Sequence, residues 1–305
     1  MSDEELERLL REVRSEQAGG AEAPPAGEAA PEPTPEVAAP AVAGDAAEGP
    51  AEVEEPRGPG VFARLFDTPT ASILSARYVE LKLSDLGGSL VLLAQAPVIG
   101  VLIGTAFAGG REHARMDLIL ALVAVWFGCF NGCREVVKER LIFLRERRAG
   151  VSVRAYVLSK LGVLALLAAV QCLILVGVVS LRVTFEGSVP VVFASLFATA
   201  LASSCLGLLL SSISRSQNSL IALVPLALIP QLIFNEVTLG GNASEGVRRI
   251  EWAMLGAWSF DALKTLRVKP EGWLTTLLGD HVAILGMGLA CVILAGVLLR
   301  LQPDE

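Results

Sequence analysis

Histidine and tyrosine are scarce in this chain, with two residues of each type among 305. His113 and His281 lie at the edges of apolar segments and lack neighbours that could complete a ligand set. The five cysteines lie inside apolar segments, and no histidine or second cysteine pair accompanies them at metal-ligand spacing. We therefore expect reduced cysteines that serve packing, and we expect no metal site.

The motifs of common catalytic sites are missing as well. The sequence contains no G-x-x-x-x-G-K-[ST] phosphate loop, no nucleophile elbow, no H-E-x-x-H and no G-x-G-x-x-G. No polar insertion between the apolar segments is large enough for a catalytic domain. We expect no catalytic residue and no cofactor in this chain, and nothing in the sequence predicts a nucleic-acid partner.

Ionisable side chains are nearly absent from the interior of the apolar segments, since Asp117 and His281 lie at segment ends. Each such residue inside a membrane costs about 2.5–3.5 kcal/mol and therefore marks ion or proton relays. Their scarcity argues against a proton-coupled or sodium-coupled carrier and against a charge-ringed channel. If the protein moves a substrate, we expect another polypeptide to supply the energy.

Apolar residues, in contrast, make up 53% of the chain, and the mean hydropathy is +0.57. Charge is divided unevenly along the sequence. Residues 1–56 hold 15 acidic and 3 basic side chains, whereas residues 57–305 hold 17 acidic and 22 basic ones. The composition predicts an acidic tail joined to a slightly basic membrane body.

The N-terminal part is predicted to contain three segments, none of which has the apolar stretch of a signal peptide. Residues 1–17 form a short amphipathic helix, which is either frayed or a docking peptide for a cytoplasmic partner. Residues 18–60 are rich in Ala, Pro and Glu and form a disordered linker. Residues 61–87 are amphipathic and predict a helix in the membrane interface.

Residues 88–301 contain six apolar runs that are long enough to cross a bilayer core of about 30 Å. The predicted spans are about 88–108, 118–133, 155–181, 189–213, 220–234 and 281–299. The sequence therefore predicts an all-α membrane protein with six transmembrane helices, an N-terminal interfacial helix and a disordered acidic tail. The connection 235–280 is long and contains tryptophans, which predicts interfacial or re-entrant helices.

The most informative segment is the basic loop, Arg134–Lys160, which joins the second and third spans. It carries eight basic and three acidic side chains. Because Lys and Arg resist translocation, a loop of this kind lies in the cytoplasm, and six spans then place both termini there. The charges of this loop have two interpretations. They either serve membrane topology alone, or they belong to a rigid lever for a cytoplasmic motor. Gly150 is a helix stop and Ser152 a cap for the third span.

The sequence of this loop, with the residues just before it, resembles the first intracellular loop of ABC exporter permeases of the type-2, G-subfamily-like class. The matching residues are Asn131, Glu135, Lys138, Glu139, Arg140, Arg145, Glu146, Arg147, Gly150, Ser152, Ala155, Tyr156, Ser159 and Lys160. The resemblance extends over about residues 60–301 and implies a six-helix permease domain at 88–301 in a bacterial inner membrane.

The resemblance also implies partners. Such permeases work as homodimers or pseudo-dimers among membrane lipids, and an ATPase with bound ATP and Mg drives export of a lipophilic substrate. Here the ATPase is expected on a separate subunit, unless this copy has lost its motor. The residues expected to couple to it are Glu135, Lys138, Glu139, Arg140, Arg145, Glu146, Arg147 and Arg148.

Two further questions remain open at the level of sequence. Gln95, Asn131 and Gln171 lie within the spans and serve either the substrate pathway or hydrogen bonds between helices. The alternative to a transporter is a membrane scaffold that does not transport and recruits cytoplasmic partners through its acidic tail.

Overall fold

Every regular element in the described part of the chain is an α-helix. The computed structural model describes residues 86–109, 113–148, 150–214, 216–240 and 244–301. The helix expected at 1–17, the linker at 18–60 and residues 61–85 of the interfacial helix lie outside these ranges. The helices are α1 Leu86–Ala106, α2 His113–Cys133, α3 Glu135–Lys138, α4 Arg140–Arg148, α5 Val153–Ser180, α6 Val189–Ile213, α7 Gln217–Ile233, α8 Glu236–Leu239, α9 Glu245–Glu251, α10 Leu255–Val268 and α11 Trp273–Leu301.

The six predicted spans coincide with α1, α2, α5, α6, α7 and α11. Within the described ranges, four helical stretches are long and apolar enough to cross a membrane. They are His113–Lys138, Val153–Ser180, Val189–Ile213 and Trp273–Leu301. The apolar helices Leu90–Ala106 and Gln217–Ile233 are shorter. The fold class is therefore all-helical, as the apolar runs predict.

Helices α2 and α11 extend beyond the predicted spans 118–133 and 281–299 at their N-terminal ends. α2 begins at His113 rather than near 118, and α11 begins at Trp273 rather than near 281. In both cases polar residues, such as Asp117 and Asp280, lower the local hydropathy although the helix continues through them. Asp117 is buried and forms a 2.8 Å ion pair with Arg267, a contact that no local pattern can reveal.

Helix α6 is the centre of the bundle and packs against α2, α5, α10 and α11. Its closest approach is to α2, where three glycines remove the side chains between the two backbones. A Cβ atom at Gly128 would lie 2.0 Å from the carbonyl oxygen of Ala200, and one at Gly132 would lie 2.3 Å from that of Ser204. Gly207 of α6 approaches α2 in the same way. Such contact between backbones is typical of small-xxx-small crossings in membranes.

Helix α1 packs against α5 at the edge of the bundle. Gly100 and Gly104 face Val178 and Arg182, so the GxxxG spacing of α1 marks a real contact between helices. The described residues of 235–280 include α8, α9, α10 and the first two turns of α11. Of these, α10 buries Leu255, Phe260 and Leu263 and packs against α2, α6 and α11.

Candidate functional site

The basic loop folds as two short helices and a turn. A break at Glu139, with φ −113° and ψ 15°, separates α3 from α4, so the helical run expected from 134 to 148 is not continuous. Gly150 ends the segment with φ +92°, a conformation that favours glycine. The Ser152 side chain then accepts a 3.2 Å hydrogen bond from the Ala155 amide and caps α5. The predicted stop and cap are both confirmed.

Two acidic side chains, Glu135 on α3 and Glu139 at the break, face a buried lysine. Lys160 lies in the second turn of α5 with 2% of its side chain exposed. Its Nζ lies 2.5 Å from Glu139 Oε2 and 3.7 Å from Glu135 Oε2. The ammonium also sits 5.5 Å from the centre of the Tyr156 ring. This cluster joins α3 and the break to α5 through charges that have little contact with solvent.

A second contact fixes the loop to α6. The Ser211 hydroxyl oxygen, buried near the end of α6, accepts hydrogen bonds from the Val136 and Val137 amides at 3.0 and 3.1 Å. These amides belong to the first turn of α3, where no carbonyl within the helix is available to them. The start of α3 is therefore held against α6.

A third contact fixes α4 to the last helix. Arg147 donates a 2.9 Å hydrogen bond from Nη1 to the carbonyl oxygen of Leu299, 152 residues away. Beneath it, the Phe143 ring packs against Tyr156 with ring centres 4.5 Å apart. Both rings and Leu299 belong to one buried apolar cluster. The basic loop is thus bound to α5, α6 and α11 at one end of the bundle, which we call the basic end.

The eight residues expected to meet a cytoplasmic ATPase fall into two groups. Glu135 is buried and Glu139 is directed to Lys160, so both face inwards. The exposed side chains are those of Lys138, Arg145 and Arg148, and the half-buried ones are those of Arg140, Glu146 and Arg147. The outer surface of the loop is therefore strongly basic.

Asn131 and Gln171, inside the spans, form hydrogen bonds between helices. Asn131 of α2 donates to the Gln171 side chain of α5 at 2.6 Å, and Gln171 donates to the Leu92 carbonyl of α1 at 2.8 Å. Asn131 and Gln171 are fully enclosed, whereas Gln95 is half-buried. For Asn131 and Gln171 the geometry favours the interhelical role over a substrate contact.

At the opposite end, tertiary contacts fix α8 and α10 onto the bundle. Arg267 of α10 pairs with Asp117 of α2, and Lys264 of α10 pairs with Glu236 of α8 at 2.5 Å. The Gly256 amide donates to the Gln231 side chain of α7 at 2.8 Å. These contacts place α10 across the ends of α2 and α7.

Asp261 lies on α10 in an acidic environment. The pKa of its carboxyl is raised to about 6, chiefly by burial and also by the charges of Asp280, Glu236 and Glu251, whereas Lys264 opposes the rise. The folded state binds this proton more tightly than the unfolded chain does. The contribution of this carboxyl to the free energy of unfolding is therefore highest in acid, and it falls as the pH rises towards 6. Above that pH, the ionised carboxyl destabilises the fold.

We expect Asp261→Asn to stabilise the protein more at pH 7.5 than at pH 4.5. Asparagine cannot ionise, and at pH 4.5 the native carboxyl is already protonated. The expected rise in melting temperature at pH 7.5 is about 3 °C, the effect of roughly 1 kcal/mol in a domain of this size. Tryptophan fluorescence during heating in detergent measures it. Glu271→Gln, at an exposed position nearby, should change neither melting temperature, and an equal rise at both pH values would contradict the prediction.

Sequence reasoning missed several residues of this arrangement. The pairing of Lys160 with two glutamates and the contact of Ser211 with α3 depend on tertiary structure and leave no local signal. The glycines of the α2 and α6 crossing did leave one, because Gly128 and Gly132 have GxxxG spacing. Asp280 was also missed. It is buried at the start of α11, and its Oδ2 atom has no hydrogen-bond partner among the described residues.

Comparison with known proteins yields two matches. Residues 71–266 match the family described as ABC-2 type transporter. The chain is also 29% identical over 236 residues to the ABC transporter ATP-binding/permease protein Rv1747 of Mycobacterium tuberculosis. That alignment covers 70% of this chain and 26% of the relative, so the chain spans about a quarter of the relative's length.

Proposed function

The chain belongs to the ABC-2 type transporter family and is a multi-pass membrane permease of that family. From this we propose that it is the transport subunit of an ATP-driven exporter. The proposed cargo is lipophilic, because the helices carry few polar groups that a hydrophilic substrate could contact. The energy comes from an ATPase that engages the basic loop.

The observation that carries this proposal is the way the basic loop is built. Its outer face is basic, whereas its inner face is bound to α5 through Lys160, to α6 through Ser211 and to α11 through Arg147. A force applied to α4 from the cytoplasm would therefore act on three apolar helices together. Close-packed contacts of this kind transmit rigid-body displacement because they do not deform continuously.

The motor is proposed to be a separate polypeptide that binds ATP and Mg. The 305 residues contain no phosphate loop, while the relative from Mycobacterium tuberculosis is named for both ATP binding and permease function. An exposed set of Lys138, Arg145 and Arg148 favours an acidic docking surface on that subunit.

The proposed topology has six crossings with both termini in the cytoplasm. The basic end would face the cytoplasm because of its arginines, and α8 to α10 would lie at the outer surface. The proposed location is a bacterial inner membrane, which agrees with the bacterial source of the relative.

A second copy of the permease is proposed to face α2 and α7. Between these helices lies an apolar groove of ≈ 290 Å³. Trp126 lines it, is half-exposed, and stacks on Phe130 with ring centres 5.3 Å apart. A half-exposed aromatic pair beside an apolar groove suits contact with another apolar helix or with a lipophilic cargo.

Purification of the tagged chain from its native membranes in mild detergent tests the assembly. We expect a complex that contains two permease copies and an ATPase on a different polypeptide, as mass spectrometry of the intact complex would show. An ATPase found on a longer form of the same polypeptide would contradict the separate subunit, and the absence of any ATPase would contradict the proposed function.

Reversal of one exposed charge tests the docking role of α4. We expect Arg145→Glu to weaken ATPase binding roughly tenfold, because a like charge at a charged interface costs at least 1.4 kcal/mol. Binding of the purified ATPase to the permease in nanodiscs measures this. Arg182→Glu makes the same change at the opposite end of α5 and should leave binding unaltered. Equal affinities of the wild-type and Arg145→Glu proteins would refute docking at this surface.

A further inference from the structure

A groove of ≈ 340 Å³ lies between the start of α5 and the end of α11, at the basic end. Its walls are apolar and include Val157 and Leu158 of α5 and Val292 and Ile293 of α11. Gly296 of α11 also lines it, and a Cβ at that position would meet no atom within 4 Å. Because Gly296 has no side chain, the groove is open at this point along α11.

Two guanidinium groups share this groove. Arg154 and Arg300 both line it and both are exposed. Within the described ranges neither forms an ion pair. Arg300 is in the last turn of α11, where a cation suits the helix dipole, but Arg154 is in the first turn of α5, where a cation is unfavourable. The position of Arg154 is therefore not explained by helix stability and leaves it available for an anion.

The combination of apolar walls and two cations at helix ends selects one type of occupant. An acyl chain fits the apolar part, and a phosphate accepts hydrogen bonds from guanidinium groups with favourable geometry. Basic pockets between transmembrane helices at the cytoplasmic surface suit anionic headgroups for the same reason. A neutral or purely apolar ligand would leave both arginines without a counter-charge.

We propose that this groove is a binding site for an anionic phospholipid of the cytoplasmic leaflet. The phosphate lies between Arg154 and Arg300, and one acyl chain runs past Gly296. The proposal uses the membrane orientation given above, but it requires neither an ATPase nor transport activity.

The site adjoins the contacts that bind the basic loop. Val153, which lines the groove, belongs to the same buried cluster as Phe143 and Leu299, and Arg147 of α4 holds the Leu299 carbonyl. A lipid in the groove would contact α5 and α11 directly beside this junction. Its binding would therefore stabilise the junction of α5 and α11 through which the loop acts.

Photolabelling of the full chain in nanodiscs tests the site. The probe is phosphatidylglycerol with a diazirine on its acyl chain, and phosphatidylcholine with the same chains is the neutral comparison. We expect phosphatidylglycerol to label residues 153–158 and 292–297 about tenfold more than phosphatidylcholine does, with labelling displaced by unlabelled phosphatidylglycerol. Arg154→Gln with Arg300→Gln should remove the preference, whereas Arg182→Gln at the other end of α5 should keep it.

A matched pair of variants tests the apolar part of the groove. Gly296→Leu adds a side chain at the groove, and Gly286→Leu adds the same side chain elsewhere on the same helix. At both positions a Cβ would meet no atom within 4 Å. Only Gly296→Leu should abolish labelling. Equal labelling by both lipids, or an unchanged preference in the double arginine variant, would overturn the proposal. Displacement of the label by glycerol phosphate alone would assign the site to a soluble phosphate. If no lipid labelled the groove, its occupant would be another protein segment. Either result would also overturn the proposal.

Discussion

Gly128→Ala will prevent the normal packing of α2 against α6. The added methyl group would lie 2.0 Å from the Ala200 carbonyl oxygen and 2.7 Å from the Ser204 amide nitrogen. Both are backbone atoms, so no side chain can rotate away and the two helices must separate. We expect a loss of about 3 kcal/mol or more in the free energy of unfolding, which corresponds to a fall in melting temperature of about 10 °C.

The control for this variant uses a glycine with free space around it. Gly177 lies within α5, and a Cβ there meets no atom within 4 Å. Gly177→Ala should be neutral or stabilising by up to about 1 kcal/mol, because alanine favours helix more than glycine does. Thermal unfolding of both variants in the same detergent makes the comparison, with the yield of folded protein as a second readout. If Gly128→Ala melts at the same temperature as Gly177→Ala, the close approach of α2 and α6 is wrong.

The positions of the apolar helices followed from the sequence because each depends on local composition. Long runs without charge predict helices of spanning length, and the signals of Gly150 and Ser152 depend on their own backbone conformation. The first turns of α2 and α11 precede the predicted spans. In α2 they contain Asp117, which pairs with Arg267, 150 residues away. A hydropathy profile places a span boundary at such a residue, because the profile contains no information about a distant partner.

For the candidate site, too, the sequence predicted local features but not tertiary contacts. The sequence identified the basic loop and its charges, but it treated all eight coupling residues as one outward face. The helical run is interrupted at Glu139, and both Glu135 and Glu139 face inwards. Lys160 then becomes their partner, although spacing along the chain assigns it only to the end of a basic segment. The direction of a charged side chain on a broken helix depends on tertiary contacts, which periodicity does not contain.

Lys160→Met is expected to separate the basic loop from α5. Methionine keeps much of the aliphatic volume but leaves Glu135 and Glu139 without the cation that they share. Removing one partner of a buried ion pair costs about 3–5 kcal/mol, because the remaining charge has lost its water and gains no replacement. We expect the melting temperature to fall by about 10 °C. Under the proposed function, we also expect stimulation of ATP turnover by the permease to be lost, whereas the proposed docking of the ATPase on the basic outer face of α4 should persist.

The combined variant Lys160→Met, Glu135→Gln and Glu139→Gln separates the structural effect from coupling. It leaves no buried charge without a partner in this cluster, so most of the lost stability should return. Coupling should not return, since no ion pair then joins the break at Glu139 to α5. Thermal unfolding, affinity for the ATPase and stimulated ATP turnover, measured on the single and triple variants, distinguish these outcomes. A triple variant that regains stimulation along with stability would show that Lys160 acts only in folding, and a stable single variant would show that the cluster is not buried.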